Sequence, residues 1–163
     1  MIALEPRTGE VLWRMDVPGA HELAVSQDGK TAFVTRRTLN RVSVIDLKQR
    51  TYADVLTLGL PDTLRLARGG KVLTIGLRTM PAQLAVVDTR TFEYELVRIG
   101  PLLDTTTVAG HQWTSTNGHF TFAAYEGGAS PGDAVIEHRQ GSAVIVGDGV
   151  DLATVPDDDG EDD

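Results

Sequence analysis

The segment HELAVSQDGKTAFVT (residues 21–35), followed by RVSVID (residues 41–46), indicates the fold of this chain. Its apolar and polar residues alternate, as in residues 41–44, which is typical of strands with one buried face. The dipeptide Asp28-Gly29 favours a tight hairpin turn, because Gly and Asp tolerate positive φ. Apolar residues at helical spacing are absent from these segments, so the sequence predicts an all-β fold.

Two sequence markers repeat along the chain with nearly the same period. Turn dipeptides at 28–29, 69–70 and 117–118 have their glycines 41 and then 48 residues apart. Acidic residues that close apolar runs are spaced by 41, 42 and 49 residues: Glu5, Asp46, Asp88 and Glu137. A period near 40 with four short strands is typical of a β-propeller blade. The sequence predicts a partial β-propeller of about three and a half four-stranded antiparallel blades: a half-blade at 1–19, then blades at 20–59, 60–100 and 101–147.

The segments at 21–35 and 41–46 resemble the YVTN-type propeller repeat. That family shows an SPDG hairpin, a YVTN-like strand and a VSVID strand in this order. The unit with Ser115–Gly118 and Ala134–Glu137 is similar but looser, and the resemblance extends over residues 1–147. It implies a propeller fold and an extracytoplasmic or surface location. It implies little about activity, because propellers host many functions.

Charge and composition exclude several classes of function. The net charge is −8, and six negative charges lie close together near the end of the acidic segment 148–163: Asp157, Asp158, Asp159, Glu161, Asp162 and Asp163. We expect this tail to be disordered, since like charges repel and little is available to bury. An acidic chain does not suit nucleic acid, and no apolar run approaches the ~20 residues of a membrane span. Without cysteine there is no thiolate ligand or haem-attachment motif, and we predict no metal and no cofactor.

The predicted arc does not close into a ring. Closed propellers have about four to eight blades, because otherwise sheet faces and edges stay open. The chain is therefore interpreted as a fragment, the product of a late start codon, or a subunit of a homo-oligomer whose copies cover the open edges. Two copies give seven blades by count, but both half-blades are outer strand pairs, so closure would be imperfect.

Mapping the repeat places seven ligand-binding candidates on one face of the arc. His21, Asp62 and His111 stand where the innermost strands begin. The other four candidates stand at the start of the loops between second and third strands: Arg36, Arg37, Arg78 and Glu126. The histidines could act as a general base or bind metal, but a hydrogen bond to the neighbouring blade is favoured.

Other polar and aromatic positions have similar alternatives. We favour solvated loop charges over an anion clamp for the Arg36-Arg37 pair. For the repeated acidic residues, caps of the following turns are favoured over cation sites. Trp13 and Trp113 are interpreted as packing between blades rather than as stacking platforms.

The leading functional hypothesis is a non-enzymatic binding or scaffold module. It rests on a strong fold signal without a recognisable catalytic motif. The alternative is a lactonase-like hydrolase that uses His21, His111 and Glu126 at the mouth of the channel. An electron-transfer partnership is a third hypothesis, although the chain has no haem motif of its own. The ligand, whether a protein or a small molecule, cannot be named from the sequence.

Overall fold

Hairpin-connected strands make up nearly all the regular structure of the protein. The computed structural model describes residues 1–129, 131–139 and 142–148, so the predicted acidic tail lies outside the described residues except for Asp148. These described residues contain fourteen strands: β1 Ile2–Leu4, β2 Val11–Arg14, β3 Leu23–Val25, β4 Thr31–Arg36, β5 Arg41–Asp46, β6 Thr51–Thr57, β7 Pro61–Ala67, β8 Val72–Leu77, β9 Gln83–Asp88, β10 Tyr94–Arg98, β11 Val108–Thr114, β12 Phe120–Glu126, β13 Gly132–Arg139 and β14 Ser142–Asp148. Two single 3₁₀ turns, Arg37–Leu39 and Arg68–Gly70, interrupt this pattern. Nothing in the described part of the chain forms a helix long and apolar enough to cross a bilayer.

The strands form four antiparallel sheets in which consecutive strands are neighbours. Blade I consists of β1–β2, blade II of β3–β6, blade III of β7–β10 and blade IV of β11–β14. The first strands β3, β7 and β11 of consecutive sheets contact one another, which places them at the inner end of each blade. The predicted fold class is therefore confirmed: the protein is an all-β partial propeller with one half-blade and three full blades.

The turn that joins the first two strands is built in the same way in blades II and IV. Asp28 accepts hydrogen bonds from the Ser26 hydroxyl (2.7 Å) and the Lys30 amide (3.1 Å). Asn117 does the same for the Ser115 hydroxyl (2.7 Å) and the His119 amide (2.9 Å). These side-chain bonds replace backbone partners that a tight turn lacks. In these two blades the repeat in the sequence is thus a repeat of turn chemistry.

Two of the repeated acidic residues, Asp46 and Asp88, cap the turn between the third and fourth strands. Asp46 Oδ1 accepts the amides of Lys48 (2.9 Å) and Gln49 (2.7 Å). Asp88 Oδ1 accepts those of Arg90 (2.8 Å) and Thr91 (2.9 Å), and these backbone donors lower the pKa of Asp88. The interpretation of these two residues as turn caps is confirmed, and it explains their spacing without a bound cation.

Apolar side chains fill the three seams between neighbouring blades. A large cluster that includes Phe33, Leu64 and Ile75 joins blades II and III. A second cluster, around Tyr125 and Ile136, joins blades III and IV. A smaller cluster between blades I and II contains Val34 and Ile45. Each seam buries the side chains that face the neighbouring sheet, which holds the arc together by burial of apolar area.

Both ends of the arc expose positions that are covered in its middle. Leu23 of β3 is 45% exposed, whereas Leu64, at the same position in β7, is fully buried. Trp113 of β11 is 53% exposed, so its interpretation as packing between blades is wrong. Its counterpart Ala24 packs into the seam between blades II and III. The physical reason is that the described residues place no sheet against the outer face of blade IV.

Candidate functional site

Each innermost strand begins with an extra residue on the face that carries the predicted site. Asp62 and Thr63 lie between the register pairs Pro61–Leu77 and Leu64–Ile75, so β7 has one residue more than β8 there. Gly110 and His111 make the same irregularity in β11. In blade II, His21 and Glu22 both pair with Thr35, through His21 N to Thr35 O (2.8 Å) and Thr35 N to Glu22 O (2.9 Å). Such bulges bend the strand and re-aim side chains at its rim.

The bulges decide which predicted residues are structurally equivalent. His21 corresponds to Asp62 and to Gly110, whereas His111 corresponds to Glu22 and Thr63. His111, which was predicted to stand where an innermost strand begins, lies within β11, one residue beyond the position equivalent to that of His21. Its side chain is exposed and forms no ion pair or hydrogen bond with the described residues.

Three of the predicted residues meet at the seam between blades II and III. Asp62 is almost fully buried, and its Oδ1 lies 2.7 Å from His21 Nε2 and 2.9 Å from Arg37 NH1. Its backbone carbonyl accepts the Thr35 hydroxyl at 2.6 Å. His21 and Arg37 remain about half exposed, so each presents unused polar atoms to solvent. The expected hydrogen bond from a histidine to the neighbouring blade is thus present at His21.

Arg36 has a structural role inside blade II. It is buried, donates from Nε to Pro18 O (2.7 Å), and pairs through NH1 with Asp54 Oδ1 (2.7 Å). Its guanidinium also lies over the Tyr52 ring, 5.1 Å from the centroid. The interpretation of Arg36 as a solvated loop charge is therefore wrong, because strand β4 extends through this residue and turns it into the sheet. A hydrogen bond from Ser43, with the pairing to Arg36, lowers the pKa of Asp54.

The seam between blades III and IV has a second charged pair. Arg78 directly follows β8 and Glu126 is the last residue of β12, and both occupy positions equivalent to that of Arg37. The two side chains form an ion pair, and Arg78 NH1 also approaches Ala109 O at 3.5 Å. Arg37 and Arg78 therefore have the same role, because each forms an ion pair with a carboxylate of the next blade.

The predicted site thus divides into two pairing groups and two separate residues. One group contains His21, Arg37 and Asp62, and the other contains Arg78 and Glu126. Arg36 and His111 form no hydrogen bond or ion pair with the side chains of either group. Among the described residues, no group of three or more His, Asp or Glu side chains could hold a metal ion. The His21–Asp62 pair has the form of a base and its orienting carboxylate, and the whole arrangement mainly joins neighbouring blades.

Sequence reasoning missed a second connection across the same seam. Glu22 Oε2 accepts the Leu64 amide (3.2 Å), and Glu22 Oε1 pairs with Arg65 NH1 (2.6 Å). In the next seam, Gln112 Nε2 donates to Thr63 O and Thr74 O, both at 3.1 Å. Glu22 and Gln112 follow His21 and His111 directly in the sequence, but no local pattern distinguishes them, because their partners lie in other blades.

The loops around these pairs carry exposed apolar tips that also went unnoticed in the sequence. Loops between second and third strands, and links from one blade to the next, leave the sheets at the same edge, because antiparallel strands alternate in direction. We name this edge the loop face. Leu102 is 78% exposed and Leu103 is 98% exposed. Further exposed apolar side chains on this face are Leu39, Leu60 and Met80.

Known structures resemble the chain, while sequence comparisons find no relative. No protein-family model matches it, and no curated protein matches it. Hydrazine synthase of Kuenenia stuttgartiensis superposes with a TM-score of 0.69 at 18% identity, over 88% of this chain and 42% of that one. The periplasmic gluconolactonase PpgL of Pseudomonas aeruginosa gives 0.63 at 14% identity, over 78% and 40%. The β-propeller domain of Cps50 (Swd1) from Myceliophteria thermophila gives 0.56 at 17% identity, over 83% and 47%.

These similarities concern the fold. The chain spans less than half of each of these three structures, namely 42%, 40% and 47% of their lengths. One of the three is a gluconolactonase by name, and another is the β-propeller domain of Cps50 (Swd1). The structural likeness therefore does not distinguish a hydrolase from a binding module. The YVTN type of the repeat stays a prediction. What the geometry and the comparisons together establish is that this chain is a partial β-propeller.

Proposed function

We propose that the protein is a non-enzymatic binding module that presents its loop face to a partner protein. The observation that carries the proposal is the set of large apolar side chains at the loop tips of this face, with Leu102 78% and Leu103 98% exposed. Protein interfaces combine apolar anchors with arginine, and contiguous exposed apolar surface marks interaction sites. Beneath the tips, the charged residues pair across the seams and hold the loops on a rigid base.

Cross-linking on live or freshly lysed source cells tests this proposal. The variant Leu102→Ser/Leu103→Ser removes the most exposed tips, and Leu96→Ser, an apolar residue about half exposed on the outermost strand β10, is the matched control. We expect cross-links between a partner and the loop face in the wild type and in the control, and their loss in the double variant. Cross-links that persist in the double variant, or that map to other surfaces, would contradict the proposal.

A lactonase-like hydrolase is the second candidate, and the His21–Asp62 pair favours it. A histidine held by a buried carboxylate at 2.7 Å is a usual arrangement for a general base. One structurally similar protein is a gluconolactonase by name. Hydrolysis of D-glucono-1,5-lactone is the direct assay, with His21→Ala and Asp62→Asn as variants. We expect no hydrolysis above the buffer rate; a rate that both variants abolish would replace the binding proposal.

Location and assembly complete the proposal. An extracytoplasmic location follows from the resemblance to YVTN-type proteins, and one similar structure is periplasmic by name. Association with a second copy follows from the apolar residues exposed at both ends of the arc, among them Leu23 and Trp113.

A further inference from the structure

A groove runs along the seam between blades III and IV at the edge opposite the loop face. Its basic end is formed by Arg68 and Lys71, from the β7–β8 turn, together with His138 near the end of β13. Three carboxylates line it as well: Asp88, Glu93 and Glu95. None of the residues discussed for the loop face contributes to this groove.

His138 is a buried histidine with one unused nitrogen. Only 5% of the residue is exposed, and its Nε2 lies 2.7 Å from the Thr121 hydroxyl. Its Nδ1 has no hydrogen-bond partner within the described part of the chain. A buried polar atom without a partner lowers the stability of the fold, so its presence needs a reason.

The internal repeat shows that histidine is not required by the fold at this position. The backbone amides of Leu47, Thr89 and His138 make the same bond in three blades, to Lys30 O (2.9 Å), Lys71 O (3.1 Å) and His119 O (2.7 Å). Leu47 packs into an apolar cluster, and the Thr89 hydroxyl donates to Gly70 O. Blades II and III therefore satisfy the position internally, whereas blade IV leaves a buried polar nitrogen in a residue that lines the groove.

Positive charge is concentrated at this end of the groove. The side chains of Arg68 and Lys71 form no hydrogen bond or ion pair with any described residue. Burial lowers the pKa of His138 to about 4, with further lowering by the charges of Arg68 and His119. The ring is thus neutral at pH 7 in a field that would favour an anion.

The carboxylates of the groove are occupied by local donors. Asp88 accepts two backbone amides of its turn, and Glu95 accepts the amide of Ala143. Glu93 accepts the Thr91 hydroxyl. Arg139, which also lines the groove, pairs with Glu137. These pairings leave Arg68 and Lys71 as the groove's cations that are available to a ligand. Because the carboxylates occupy the rest of the groove, an anionic ligand must be small enough to fit at the basic end.

We propose that this end of the groove binds a phosphate group, either as the free ion or on a small molecule. When the Thr121 hydroxyl donates to Nε2, the neutral His138 ring carries its proton on Nδ1. That nitrogen is buried in the unliganded protein, so the side chains around it must move aside before it donates the proton in a hydrogen bond to a phosphate oxygen. Arg68 and Lys71 add charge-assisted hydrogen bonds, which are the strongest kind available to a surface site. Ligand binding would thereby satisfy the nitrogen that the fold leaves without a partner.

Titration of the full chain with inorganic phosphate and with glucose 6-phosphate, followed by the NMR signals of the His138 ring, tests the proposal. We expect saturable shifts at pH 7 and constant ionic strength, and a rise in the pKa of His138, because a bound anion stabilises the imidazolium. Arg68→Gln and Lys71→Gln should each weaken binding about tenfold or more, as expected for loss of a charged hydrogen bond. Tighter binding of the ester than of the ion would identify a phosphorylated small molecule as the ligand, and equal binding would identify the free ion.

Two controls separate this site from general attraction of anions. Lys48→Gln removes a lysine from the equivalent edge of blade II and should change affinity less than about twofold. His138→Leu introduces the residue that blade II has at this position, so the seam keeps a side chain that the fold tolerates while the Nδ1 donor is lost. We expect the affinity for phosphate to fall. Because this variant has no His138 ring, its binding is followed by backbone amide shifts. Non-saturating shifts, an equal effect of Lys48→Gln, or unchanged affinity in His138→Leu would each overturn the proposal.

Discussion

At the scale of single residues, equivalent glycines differ in what surrounds them. Gly29 and Gly118 occupy the same place in the first turns of blades II and IV, with φ of 69° and 74°. A Cβ on Gly29 would meet nothing within 4 Å, whereas one on Gly118 would lie 2.6 Å from the Arg68 amide nitrogen. Gly118 O also accepts that amide at 3.0 Å. The turn of blade IV is therefore pressed against blade III, and that of blade II is free of such contact.

Substitution of these two glycines separates backbone strain from steric conflict. Gly29→Ala should lower the free energy of unfolding by about 1 kcal/mol, because left-handed backbone disfavours a Cβ. Gly118→Ala should lower it by about 3 kcal/mol, because the seam must also open to admit the methyl group. Urea unfolding of the two variants measures both values. Equal losses would mean that the contact with Arg68 adds nothing.

At the scale of strands and blades, polar connections cross the seams beside the apolar clusters. Glu22 is bonded to both the backbone and a side chain of β7, and its pair with Arg65 is only partly exposed. The Thr63 hydroxyl donates to Gly110 O at 3.1 Å in the following seam. Because apolar packing alone tolerates sliding of one sheet over another, we infer that these directed bonds set the angle between blades.

A double-mutant cycle measures one of these connections. Combining Glu22→Ala and Arg65→Ala should give a coupling energy of about 1–2 kcal/mol, as expected for a partly buried charge-assisted bond. The pair Glu137 and Arg139, which lies within one strand and is more exposed, is the matched control, with coupling below about 0.5 kcal/mol. Thermal or urea unfolding provides the energies. Similar coupling energies in both pairs would show that an ion pair across the seam stabilises the protein no more than one on the surface of a single strand.

Local signals made the fold predictable, and non-local contacts limited prediction of the site. Turn dipeptides such as Asp28-Gly29 and caps such as Asp46 act within a few residues, so their spacing revealed blades. The bulge that shifts His111 by one position has no signature in the sequence. Burial of Arg36 depends on Asp54 and Pro18, each 18 residues away. Pairing of Arg37 with Asp62 could be placed on one face, but only the structure brings the atoms together.

At the scale of the whole molecule, the two ends of the arc resemble the two sides of a seam. Leu23 and Val25 are exposed at one end, together with Ile2, Leu4 and Leu12 of the half-blade. At the other end, Trp113 lies beside Phe122, whose counterpart Phe33 is buried by blade III. Exposed faces of this kind are sites of association, because the apolar area remains in water until something covers it.

The solution mass should therefore be that of a defined oligomer. Light scattering coupled to size exclusion measures it at several concentrations. Trp113→Arg should shift the protein to monomer, because a charge at the centre of the contact cannot be buried without a partner. Leu96→Arg, at a similarly exposed apolar position within blade III, should leave the mass unchanged. A monomeric wild type, or dissociation by both variants, would contradict association through the ends.

The extra residue at the start of each inner strand has a consequence for how such a protein can change. Positions 21–22, 62–63 and 110–111 pair two residues with one, so one residue at each is not needed to complete the backbone ladder. The residues at these three bulges already differ in size and charge, although the two-to-one pairing is the same. A lineage, or an engineer, can most readily change bulge residues such as His111, whose side chain bonds to no other described residue, and least readily Glu22 and Thr63, which bond to the next blade.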